Sequence, residues 1–180
     1  VEAQEYPEDY DGIWASCPAI NWSKFLPVGL WANAVMNSNN YIVPPSKVKF
    51  AMNEAQNTVG GKEKYYEYDR PLEFDYYTLV GKKVKNDTFT EIDAKVLTEI
   101  YGGPARNGKR LWYFGRPGVL CYNVGIPIGA FWYTPIFHKP KPFFLSTYYC
   151  RWVTKNPKQK FDKVTKDEFY KIYDASVNEF

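Results

Sequence analysis

Histidine is almost missing from this chain of 180 residues: the one present is His138, in the turn-like setting Phe137-His138-Lys139-Pro140. A metal site built on several histidines is excluded, and a carboxylate-only site has no EF-hand loop to occupy. Any Ser-His-Asp triad would have to use His138, and no Gly-x-Ser-x-Gly elbow exists. Cysteine is scarce and odd in number, with Cys17, Cys121 and Cys150 alone. Their spacing fits neither a zinc site nor a CxxC redox motif, and it allows at most one internal disulfide. Gly60-Gly61-Lys62 lacks the spacing of a phosphate loop. An excess of one charge is lacking too, since 23 Lys and Arg against 20 Asp and Glu leave a net +3. Lys82-Lys83-Val84-Lys85 and the stretch from Lys155 to Lys163 read as solvated surface, and no nucleic-acid motif is present. No apolar run approaches the ~18 residues needed to span a bilayer.

These absences leave no catalytic, metal or cofactor assignment, and a non-enzyme is expected. Glu73 and Asp75 read as neighbours on one exposed strand face, whereas a catalytic acid pair comes from separate strands. Cys121 and Cys150 fall in expected strands, where a buried or disulfide-bonded sulfur outweighs an activated thiolate.

What the chain does have is aromatic residues, at 19%: 16 Tyr, 12 Phe and 6 Trp. Such rings suit strands, cavities and interfaces. Residues 1–28 read as an irregular leader. Strand-like runs follow at Leu30–Met36, Lys47–Met52, Lys64–Asp69, Leu72–Val80, Phe89–Tyr101, Arg110–Phe114, Val119–Val124, Ala130–Phe137 and Phe143–Val153. Turn chemistry separates them, at Pro44-Pro45, Gly60-Gly61, Gly102-Gly103-Pro104 and Arg116-Pro117-Gly118 among others. This spacing predicts an all-β, antiparallel barrel or sandwich in a single domain over residues 1–180. One helix is expected near Thr165–Ser176: Thr165-x-x-Glu168 has capping-box form, and Phe169, Ile172 and Tyr173 share a face.

The order of these elements resembles the lipocalin family. Cys17-Pro18, Asn21-Trp22 and Phe25-Leu26 precede Gly29-Leu30-Trp31, which is similar to the Gly-x-Trp start of invertebrate lipocalins. Ala32 replaces the usual aromatic after the Trp, and the family's Thr-Asp-Tyr turn is absent. The resemblance implies an eight-stranded up-and-down barrel enclosing a cavity, with Trp31 as its floor and Arg151 (or Lys155) stacked over it. By strand parity, Asn33 would then face the cavity, as would Leu145, Thr147 and Tyr149, leaving Cys150 outside. Phe50, Tyr66, Tyr68, Phe74, Tyr76, Trp112, Phe114, Phe131 and Tyr133 complete the expected wall. In such a barrel Cys121 and Cys150 would lie two strands apart, ~9–10 Å, beyond the ~7 Å reach of a disulfide. Cys17 is then expected to pair with one of them, and the third thiol is free to stay buried or to join two chains.

The function expected on this basis is a secreted carrier of a small apolar or aromatic ligand. The alternative is a secreted interaction protein or toxin with a filled β core, followed by an enzyme using cavity acids. Secretion is supported by the cysteine set and by two sequons, Asn21-Trp22-Ser23 and Asn86-Asp87-Thr88. Glu67 and Glu73, lying among tyrosines, would suit an amine ligand.

Overall fold

The computed structural model describes residues 2–14, 20–70, 72–119 and 142–179. Cys17, Cys121, Phe131, Tyr133, His138 and the run Ala130–Phe137 lie outside the described residues. Helices dominate. Helix α1 (Glu2–Glu5) and helix α2 (Trp22–Phe25) are single turns of the leader, and a 3-10 turn at Pro27–Leu30 feeds α3 (Trp31–Ser38). Then come α4 (Pro45–Asn57), α5 (Lys62–Glu67), a 3-10 turn at Tyr76–Leu79, and a hairpin of β1 (Lys83–Val84) and β2 (Asp87–Thr88). Helix α6 (Glu91–Gly102), a second hairpin of β3 (Ala105–Arg106) and β4 (Lys109–Arg110), α7 (Phe144–Val153) and α8 (Lys166–Glu179) complete the order. Both hairpins are antiparallel and two-stranded, pairing Lys83 with Thr88 and Ala105 with Arg110.

The expected eight-stranded barrel is therefore overturned. Aromatic and β-branched residues raise strand propensity, yet burial here follows the helical period. On α6 the buried set includes Asp93, Val96, Leu97 and Ile100, at i, i+3, i+4 and i+7. On α7 it is Ser146, Cys150 and Val153, at i, i+4 and i+7. Strand parity thus placed α7 backwards: Cys150 is fully buried and Leu145 is 40% exposed. Helix α4 opens on Pro45, where the missing N–H costs nothing and φ is already helical. Helix α8 carries the reciprocal cap: Thr165 N donates to Glu168 Oε2 at 2.9 Å and Glu168 N donates to Thr165 Oγ1 at 3.3 Å.

The core gathers around α3, whose residues Trp31 to Met36 are all buried. Trp31 packs on Phe169 (5.1 Å between centroids) and Tyr170 (6.0 Å), and its Nε1 donates to the Glu99 carbonyl at 3.1 Å. It joins α3, α6 and α8 instead of flooring a barrel. Arg151 does not cover it; its guanidinium lies 5.5 Å from the Tyr148 ring, and Nε donates to the Gln159 carbonyl. The glycine of Gly29-Leu30-Trp31 is required by packing. A Cβ at Gly29 would lie 2.0 Å from Ser146 Oγ and 3.2 Å from Phe143 Cβ, so the turn before α3 and the start of α7 meet only because that atom is missing. Cys150 is free, and burial pushes its thiol up to about 12; the other pairing expected for Cys17, with Cys121, lies outside the described residues.

Candidate functional site

Two polar clusters stand out, and they are built differently. The first joins α4 to α6. Lys47 Nζ lies 2.8 Å from Asp93 Oδ2 and 3.0 Å from Asp87 Oδ2. Tyr41 donates its hydroxyl to Asp93 Oδ1 at 2.6 Å, while Thr90 donates both N–H (2.8 Å) and Oγ1–H (2.6 Å) to Oδ2. The Asp93 side chain is fully buried and Lys47 is 3% exposed. Burial alone would raise Asp93, but hydrogen bonds from Lys47, Thr90 and Tyr41 hold it below the usual carboxylate range. Burial, with Asp93 beside it, pushes Tyr41 up to about 12. Both oxygens of Asp93 are occupied by donors from its own fold, so this cluster is a structural clamp.

The second cluster is centred on Arg116, in the segment following β4. Tyr65 of α5 lies under the guanidinium at 4.5 Å and Tyr68 flanks it at 5.1 Å, both within cation–π range. Arg116 Nη1 donates to the Tyr68 carbonyl at 2.7 Å. The segment is fixed from two sides, by Gln56 Nε2 donating to the Gly118 carbonyl at 2.8 Å and by the Tyr101 hydroxyl donating to the Val119 carbonyl. Gly118 has φ +93°, and a Cβ there would lie 2.6 Å from Tyr65 Cε2. Only glycine allows this approach. Arg116 Nε and Nη2 and the Tyr65 hydroxyl are buried without a hydrogen-bond partner among the described residues. Burial raises the Tyr65 pKa, with Arg116 opposing. An aromatic shelf runs on from here: Tyr101 stacks on Tyr76 at 5.4 Å and meets Phe114 edge-on at 6.4 Å, and Phe74 meets Tyr76 at 5.0 Å.

The expected cavity residues are dispersed by the helical fold. Asn33 is buried within α3, and Tyr66 stands exposed on α5. Phe50, Phe74, Trp112, Phe114 and Tyr149 are partly buried and pack against the core, with Tyr76 inside it. Thr147 Oγ1 donates to the Phe144 carbonyl, and the Tyr149 hydroxyl lies 2.7 Å from Ser176 Oγ. Of the expected set, Tyr68 lines the Arg116 cluster, and Phe74, Tyr76 and Phe114 form its shelf. Asp75 caps the turn at Tyr76–Leu79, accepting from Tyr77 N, and Glu73 is exposed. Arg116, Tyr65 and Gln56 escape a reading by sequence, since they meet across nearly fifty residues or more. No group of three or more His, Cys, Asp or Glu placed to hold a metal occurs among the described residues.

Comparison with known proteins settles the chain's relations. Residues 1–118 match the family described as tannase and feruloyl esterase. The chain belongs to the tannase and feruloyl esterase family. It is also 34% identical to a probable feruloyl esterase of Arthroderma benhamiae, over 98% of this chain and 36% of that protein. The chain thus spans about a third of the length of the curated relative it matches. No solved structure matches it. Membership of this esterase family overturns the lipocalin resemblance and the carrier function drawn from it. It also corrects the expectation of a non-enzyme, because the family points to a hydrolase.

Proposed function

We propose that this chain is part of an ester hydrolase acting on esters of aromatic acids, and that the Arg116 cluster receives the acyl group. In the reaction water cleaves the acyl–oxygen bond, releasing the aromatic acid and an alcohol. Ester hydrolysis by a side-chain nucleophile needs an activated oxygen or sulfur, a base and donors for the developing oxyanion. Among the described residues no histidine is available as base, and Cys150, buried and raised to about 12, is no nucleophile. The role assigned to the described residues is therefore substrate recognition.

The observation that carries this reading is the set of polar atoms on Arg116 and Tyr65 that have no partner among the described residues and lie between tyrosine rings. A buried donor without a partner costs roughly 1–3 kcal/mol, which a ligand that supplies the acceptor recovers. A feruloyl group offers carbonyl, methoxy and phenol oxygens to such donors and a flat ring to the tyrosines. An extracellular location is part of the same proposal. It is compatible with the family, and both sequon asparagines, Asn21 and Asn86, are exposed.

The test is hydrolysis by the full-length protein of methyl ferulate, methyl gallate and an aliphatic acetate ester. The expected result is turnover of an aromatic ester in preference to the acetate. Absence of turnover on either aromatic ester would remove the proposal.

A further inference from the structure

A cleft of about 470 Å³ opens between the start of α4 and the β1–β2 hairpin, lined by Pro45, Ser46, Lys49, Phe50, Asn53, Lys83, Val84 and Lys85. Its volume falls in the range of about 300–1,000 Å³ common to small-molecule sites. The lining holds three lysines and no acid. The neighbouring acids are engaged elsewhere: Glu54 pairs with Lys82 at 2.9 Å and Asp87 with Lys47 at 3.0 Å. Lys49, Lys83 and Lys85 are exposed and form no ion pair among the described residues. Read along the sequence, Lys83 and Lys85 are a short solvated run. The fold adds Lys49 from α4 and converts them into a focused positive site.

Phe50, Val84 and Pro45 make the rest of the lining partly apolar, while Asn53 and Ser46 supply a neutral amide and hydroxyl. Repeated anionic groups, hydroxyls and flat C–H faces are the complement of that lining. We propose that the cleft binds a carboxylated oligosaccharide, with uronate carboxylates on Lys49, Lys83 and Lys85 and a sugar ring face on Phe50. A single carboxylate would neutralise one of the three charges that line the cleft; a short oligouronate neutralises all three. The site is separate from the Arg116 cluster and stands whether or not the acyl-recognition proposal holds.

Calorimetric titration of the full-length protein with tri-galacturonate tests it. Saturable binding is expected, weakened about tenfold between low and physiological ionic strength because the lysines are solvated. The triple variant K49Q/K83Q/K85Q should lose about tenfold or more in affinity with its melting temperature unchanged, and K49R/K83R/K85R should restore binding. Equal binding of maltotriose would overturn the proposal, as would competition by equimolar inorganic phosphate. So would tighter binding of a single-stranded oligonucleotide, undiminished binding by the glutamine variant, or no binding of tri-galacturonate.

Discussion

The clamp at Asp93 and the cluster at Arg116 are both charged and assembled from distant parts of the chain, the first buried and the second half-buried, and they differ in satisfaction. Around Asp93 every oxygen meets a donor, from Lys47, Thr90 and Tyr41. Around Arg116 one nitrogen donates to the Tyr68 carbonyl, while two others and the Tyr65 hydroxyl have no partner among the described residues. A closed network holds two helices in one arrangement. An open one leaves donors whose acceptor, on the reading proposed above, is the substrate.

The comparison breaks most visibly at the clamp. Asp93→Ala leaves Lys47 buried without its inner partner and should cost about 3–5 kcal/mol in urea unfolding. Within the cluster, Gly118→Ala should cost about 1–3 kcal/mol or more, because its Cβ runs into the Tyr65 ring at a left-handed φ. Its cost should fall when Tyr65 is shortened to Leu, which a double-mutant cycle would read.

Acid should act on the clamp. Asp93 has its folded pKa depressed, so its contribution is complete above the ordinary carboxylate range and is lost as pH falls through the folded value. At the alkaline end Tyr41 is raised, so its contribution persists below the ordinary tyrosine range and fades as pH rises toward about 12. Unfolding measured across pH should show both losses in the wild type; Asp93→Ala should remove the acid loss and only reduce the alkaline one, because burial is the larger cause of the Tyr41 shift. The smallest effect belongs to Tyr65→Phe. Removing a hydroxyl without a partner among the described residues should change stability by less than about 1 kcal/mol, in the stabilising direction.

Different parts of the chain were readable to different degrees. The cap of α8 was visible as Thr165-x-x-Glu168 because its signal lies within four residues. The equivalent signal at α6, Thr90 with Asp93, sits in a run of Phe89, Ile92 and Val96 that strand propensity claims first. Thirteen residues from Phe89 to Tyr101 are long for a strand, typically about 3–10 residues, and the 3–4 spacing of the buried positions favoured a helix. Asn107-Gly108, both at positive φ, is a strong two-residue hairpin signal and joins β3 to β4. Gly29 and Trp31 resemble a barrel entry motif, yet what holds them is helix approach to Ser146 and packing on Phe169. The Arg116 cluster had no local signature, since Tyr65 and Gln56 reach it only through tertiary packing.

The central claim is that the open cluster serves substrate while the closed one serves the fold. The measurement that tests it most directly is methyl ferulate hydrolysis together with thermal unfolding for Arg116→Met, which keeps volume and removes the donors. The account predicts a rise in KM of about tenfold or more, as for loss of a charge-assisted hydrogen bond, with the melting temperature near that of the wild type. An unchanged KM, or a loss of stability as large as that of Asp93→Ala, would contradict it.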